Sequence, residues 1–137
     1  MKKVICIGNR FVHPDGAALW VYDAAVNKQD LTSNARLEWV EGGLGGLNLI
    51  THFENITDLL FLDYFKDEKN ATFFTLERIL ESVNITDYTH DSAFYYLLNS
   101  LDTLLTTQPK ISFLACNPDS PKYIDEVLEN VELWEAS

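Results

Sequence analysis

The chain has 137 residues, 47% of them hydrophobic, with 10 Lys plus Arg against 21 Asp plus Glu and a formal net charge of -11. That length suits one domain with its own core, so a single domain over residues 1–137 is expected. So acidic a chain argues against nucleic acid and against an anionic membrane surface, both of which want basic patches, and favours a basic peptide or a cation as partner.

Residues 3–7 (Lys-Val-Ile-Cys-Ile) read as a short buried strand that Gly8-Asn9 breaks. The run is too short, and lacks the small-residue cleavage site, for a signal peptide. No stretch approaches the roughly 20 apolar residues of a membrane span. A cytoplasmic, membrane-free chain is therefore expected, and its three Asn-X-Thr sequons at Asn55, Asn70 and Asn84 are read as coincidence. A helix follows from about Pro14 to Lys28, with Ala17, Val21, Ala24, Ala25 and Lys28 at helical spacing and proline in its first turn. Residues 36–41 make a second strand, ended by Gly42-Gly43-Leu44-Gly45-Gly46, and a short helix runs from Leu47 to Phe53.

Leu59-Leu60-Phe61-Leu62 is a continuous apolar run, the mark of a strand buried on both faces, and Asp63 terminates it. Ala71 to Glu77 give a fourth strand. From His90 to Thr106 the periodicity is strongly helical through Phe94, Leu97, Leu98, Leu101, Leu104 and Leu105. Residues 110–116 form a fifth strand, and Ser120-Pro121 opens a last helix with Ile124, Val127, Leu128 and Val131 as its apolar stripe. Alternating strands and helices predict a three-layer α/β/α sandwich around a five-stranded mixed sheet. Strands 3 and 4 are joined by too few residues for a helical crossover, so strand 4 is expected to run antiparallel to the rest.

Ligand sites in open α/β sheets form outside the carboxyl ends of the strands. Asp15 follows strand 1, Asp63 ends strand 3, and His90 opens the long helix on the same helical face as Phe94. Two carboxylates and an imidazole converging there would suit a borderline divalent metal. Each also has a plainer reading: Asp15 as a first-turn acid favoured by the helix dipole, Asp63 as a loop acid capping a turn, and His90 as a half-buried structural histidine. A phosphoryl-accepting receiver domain is excluded, because Gly8-Asn9 stands where its acidic pair is needed and Cys116-Asn117-Pro118 where its lysine is needed. The glycine turn lacks a GxGxxG or P-loop lysine; Gly42 and Gly43 instead allow close backbone approach, as when a peptide is received. Cys6 and Cys116 form no CxxC and read as small buried hydrophobes.

Taken in order, these segments resemble the hydrogenase maturation endopeptidases, which trim the C-terminal extension of the nickel–iron hydrogenase large subunit. Ile5-Cys6-Ile7-Gly8-Asn9 followed by Asp15-Gly16, then Glu41-Gly42-Gly43, Leu59 to Asp63, Thr89-His90 with Leu97-Leu98, and Leu114 to Pro118 carry the resemblance over nearly the whole chain. Pro14, Ala18, Glu41 and the loop Arg10 to His13 depart from the family's pattern. The resemblance implies strand order 2-1-3-5-4 and a metal-reading site at Asp15, Asp63 and His90, with Asp15 and Asp63 as the catalytic acids and Gly42-Gly43 at the substrate. It implies nickel delivered within the substrate, no organic cofactor, a large-subunit precursor as partner, and a monomer. Two other readings stay open: a non-catalytic paralogue that binds a precursor or metal, and an unrelated small-ligand module built on the glycine turn.

Overall fold

The computed structural model describes residues 1–32, 37–82 and 92–137. The elements are β1 (Lys2–Ile7), α1 (Ala17–Thr32), β2 (Leu37–Gly43), a 3-10 helix (Leu47–Phe53), β3 (Asp58–Asp63), β4 (Phe73–Thr75), α2 (Leu76–Ser82), α3 (Ser92–Leu104), β5 (Lys110–Ala115) and α4 (Tyr123–Ala136). The sheet has five strands in the order β2-β1-β3-β5-β4. β1 pairs parallel with β2 and β3, β3 pairs parallel with β5, and β4 pairs antiparallel with β5, as the short β3–β4 connection demands. β1 and β3 are central neighbours, and from them the chain turns outward in opposite directions. Their carboxyl ends therefore lie at the point where the strand order reverses.

The sheet is buried on both faces by different chemistry. On one side Val4, Cys6, Leu60, Leu62 and Leu114 pack against Val21 and Ala25 of α1 and Val127 and Val131 of α4. On the other, Ile5, Ile7, Leu59, Phe61 and Phe113 meet Leu49 and Phe53 of the 3-10 helix and Phe94, Leu97 and Leu101 of α3. This second layer is aromatic: the Phe61 ring lies 4.9 Å from Phe94 and 5.3 Å from Phe113 between centroids. Such pairs add roughly 0.5–1.5 kcal/mol each beyond the area they bury.

Three boundaries differ from expectation. α1 starts at Ala17, not Pro14, because residues 9–10 fold back onto Gly16; a Cβ there would lie 2.8 Å from the Asn9 carbonyl oxygen. The fourth strand shrinks to Phe73–Thr75, and Leu76–Ser82 is helical. Thr75 explains the switch: its Oγ1 accepts the Arg78 N–H at 3.2 Å, an N-cap bond, and Glu77 sits favourably in the helix's first turn. α4 begins at Tyr123, after a turn in which Ser120 Oγ accepts the Lys122 N–H at 3.2 Å. No helix among the described residues is long and apolar enough to cross a membrane.

Candidate functional site

Four glycines, Gly8, Gly42, Gly43 and Gly45, shape the site region. Gly8 follows β1 with φ +147°, and a Cβ on it would fall 2.2 Å from the Asp15 carbonyl oxygen. Only a residue without a side chain lets the loop bearing Asp15 lie on the end of β1. The loop is then closed by polar contacts. The Asn9 N–H donates to Asp15 Oδ2 at 2.7 Å, the Phe11 N–H donates to Asn9 Oδ1 at 3.0 Å, and the Gly16 N–H donates to the Val12 carbonyl at 2.8 Å. Asp15 thus lies in the approach to α1, outside the helix, and its carboxylate reaches back to the strand end.

Gly42 marks a register shift. Cys6 pairs with Glu41 but Ile7 pairs with Gly43, so Gly42 is the extra residue of a β-bulge. A Cβ on Gly42 would meet Ile5 and Ile7 at 2.7 and 2.8 Å, so its lack of a side chain serves packing on β1. Gly43, at φ +57°, has open space above it, and its carbonyl accepts the Gly8 N–H at 2.7 Å. The bulge and the Asp15 loop are therefore bonded to each other. Past the bulge, Gly45 (φ +68°) admits the Phe94 ring, 2.9 Å from where its Cβ would stand. That contact sets the first turns of α3 at the carboxyl edge of the sheet.

Asp63 ends β3 and is 1% exposed. Cys6 and Leu62 are the last paired residues of β1 and β3, so Ile7 and Asp63 come level one step further on. Alternation along β3 puts Asp63 in the row of Leu59 and Phe61, on the side of the sheet that α3 covers. Its Oδ1 accepts the Tyr64 N–H at 2.8 Å, and its carbonyl accepts the Cys116 N–H at 2.8 Å. Beside it Asn117, 6% exposed, donates to the Glu68 carbonyl at 3.0 Å and accepts the Asp119 N–H at 2.9 Å. These bonds join the loops after β3 and β5. Burial, reinforced by the negative charge of Asp63, pushes the Cys116 thiol well up.

The structure thus sets Asp15 and Asp63 at the ends of adjacent strands, while His90 lies outside the described residues. Among the described residues, no three His, Cys, Asp or Glu side chains gather to hold a metal ion. Of the other histidines, His13 stacks on Trp20, and His52 lies at the opposite edge beside Lys3.

Sequence reasoning missed Arg10. Its guanidinium NH1 donates to Asp23 Oδ2 on α1 and its NH2 donates to Glu41 Oε1 on β2, the latter at 2.7 Å. Both acids raise its pKa, so it stays a cation. No periodic signal relates residues 10, 23 and 41; the hints in the chain are an arginine following a strand-ending Gly-Asn and the departures at Arg10 and Glu41 from the pattern it resembles.

Several solved structures share this fold from end to end. The hydrogenase maturating endopeptidase HybD from E. coli superposes with a TM-score of 0.75 at 18% identity, over 100% of this chain and 94% of that one. The nickel–iron hydrogenase maturation protease HybD from Thermococcus kodakarensis gives 0.65 at 21% identity, over 99% and 98%. The endopeptidase HycI from Escherichia coli gives 0.66 at 20%, over 98% and 91%. No family model matches the chain, and no curated protein matches it in sequence. At these identities the likeness is one of fold, and in that fold the chain is a structural counterpart of the hydrogenase maturation endopeptidases.

Proposed function

We propose that this chain is an endopeptidase that removes the C-terminal extension of a nickel-loaded nickel–iron hydrogenase large-subunit precursor. The observation that carries the reading is the end-to-end match in fold to maturation endopeptidases, in a chain whose buried acid, Asp63, ends a central strand. In this reading nickel is part of the substrate. Asp15 and Asp63 offer it carboxylate oxygens and His90 an imidazole nitrogen, a donor set that suits a borderline divalent ion. Two routes to hydrolysis are open to these residues. Asp63 accepts a proton from the water that attacks the scissile carbonyl, or the acids hold the substrate's nickel where it polarises that carbonyl.

The rim of the site favours a polypeptide over a small ligand. Phe11 is 91% exposed, Val12 48% and Leu44 60%, all in the two loops that meet at Gly8 and Gly43, and Leu47, 47% exposed, opens the 3-10 helix that follows. Large apolar side chains gathered at one edge are a common sign of a protein-binding surface. The 3-10 helix after the glycine turn has only 7 residues, too little aligned backbone for a strong anion site.

The test is to incubate the purified chain with nickel-loaded and nickel-free precursor and follow release of the C-terminal peptide by intact mass. Cleavage of the loaded form alone supports the reading. Cleavage of neither sinks it, and cleavage of both removes the nickel checkpoint. His90→Ala is expected to weaken processing with an unchanged thermal melt; a collapsed melt would make His90 a structural histidine.

A further inference from the structure

We propose that Arg10 is a positioning residue, which locks the loop carrying Asp15 to the glycine bulge of β2 so that acid and bulge meet the scissile segment in one fixed register. The proposal rests on the endopeptidase reading above. Its basis is the succession of bonds made by three consecutive residues. The Gly8 N–H holds the Gly43 carbonyl, the Asn9 N–H holds the Asp15 carboxylate, and the Arg10 guanidinium holds Glu41 and Asp23. Strand end, bulge, acid and helix are thereby tied through one short segment.

The chemistry requires arginine. Two nitrogens of one rigid plane reach two carboxylates on different elements, which the single nitrogen of lysine cannot reproduce. The Arg10 side chain is 28% exposed and its partners 47% and 46%, so the clamp lies at the rim of the core, where it adds little to global stability. The tip of the loop is open to solvent, with Phe11 91% exposed. On the bulge, Gly42 packs on Ile5 and Ile7, and neither Gly42 nor Gly43 brings a side chain that could bond to the loop. The backbone bond from Gly8 to Gly43 and the Arg10–Glu41 contact are thus two ties between the loop that carries Asp15 and the bulged end of β2.

The experiment compares Arg10→Gln, Arg10→Lys, Glu41→Gln and the double variant Arg10→Gln/Glu41→Gln with wild type in the full chain. It reads amide hydrogen exchange over residues 8–16 and 42–45, the thermal melt, and kcat and KM on nickel-loaded precursor. In Arg10→Gln, exchange is expected to rise in both segments together, with the melt nearly unchanged. A misplacement near the reacting centre should lower kcat about tenfold and leave KM within about twofold. Arg10→Lys should not rescue, and the double variant should be no worse than either single one. Unchanged exchange in both segments overturns the clamp whatever the cleavage rates. Raised exchange with normal kcat makes the contact structural only and overturns the positioning role. If wild type does not cleave the precursor, the endopeptidase reading fails and takes the catalytic half of the proposal with it, while the exchange data still decide whether Arg10 couples the two segments.

Discussion

The two edges of the sheet use charge in opposite ways. At the amino edge, lysines hold elements together. Lys2 Nζ donates to the carbonyls of Trp134, Glu135 and Ser137 at 3.0, 2.9 and 2.9 Å, filling all three ammonium donors at the end of α4, where the helix dipole welcomes a cation. Lys3, only 8% exposed, meets Glu38 at 3.1 Å and His52 Nδ1 at 3.3 Å. At the carboxyl edge, acids stand at the strand ends: Asp15 over Gly8, Glu41 before the bulge, Asp63 at the end of β3. The contrast is one of placement: charges at the helix end and strand starts tie elements together, whereas the acids at the strand mouths stand where the proposed function puts the chemistry. Changes at the amino edge should therefore move stability alone, and changes at the carboxyl edge should move activity.

Gly8→Ala should have the largest effect. The new methyl would overlap the Asp15 carbonyl at an unfavourable φ, costing roughly 2–4 kcal/mol, and a urea titration with tryptophan fluorescence would measure it. A variant as stable as wild type would mean that the loop is free to shift off β1. Asp63→Asn comes next. Asparagine keeps the acceptor for the Tyr64 N–H, so the melt should hardly move. Loss of the charge should slow precursor cleavage at least about 100-fold, or about 2.7 kcal/mol in the barrier. Equal rates would make Asp63 an ordinary buried acid and erase the difference between the edges.

Phe11→Ser should act more gently. A side chain 91% exposed contributes little to the fold, so stability should stay within about 0.5 kcal/mol. KM for the precursor should rise about 3- to 10-fold if the apolar rim holds substrate. The smallest effect is expected at the amino edge. Burial, and then the nearby Lys3, lower the His52 pKa below its ordinary 6.5. The unfolded chain then binds a proton more readily than the folded one, so this contribution to stability is present above about pH 6.5 and is lost as pH falls. His52→Gln should flatten that acid slope in a melt-versus-pH series and leave cleavage untouched. A change in cleavage would show that the two edges are coupled.

Much of this was legible in the chain, for identifiable reasons. Leu59 to Leu62 announced a strand buried on both faces, and the short link after it fixed β4 as antiparallel. The order 2-1-3-5-4 came from resemblance and is the order of the sheet. What could not be read was local and three-dimensional. Helix α2 spans only 7 residues, too few for a periodic signal, and its cap, Thr75, also belongs to β4. Gly42 and Gly43 read as one turn open to close backbone approach, yet one packs on β1 and the other supplies a carbonyl to Gly8. Arg10 and Glu41 each stood out as departures from a family pattern, and nothing in their order along the chain says that they touch.

Both cysteines of the chain, Cys6 and Cys116, are buried, and burial drives both thiols away from the ionised form. The thiolate is the form that binds metal and reacts with oxidants and alkylating agents. On the proposed function, a protein that inspects a partner's nickel thus keeps its own strongest soft donors out of reach, and is left to touch that ion only with oxygen and imidazole. The folded surface is in effect thiol-silent: it should neither strip metal from its client nor cross-link in air, and a cysteine introduced on the exposed rim would take a fluorescent or spin label at one address.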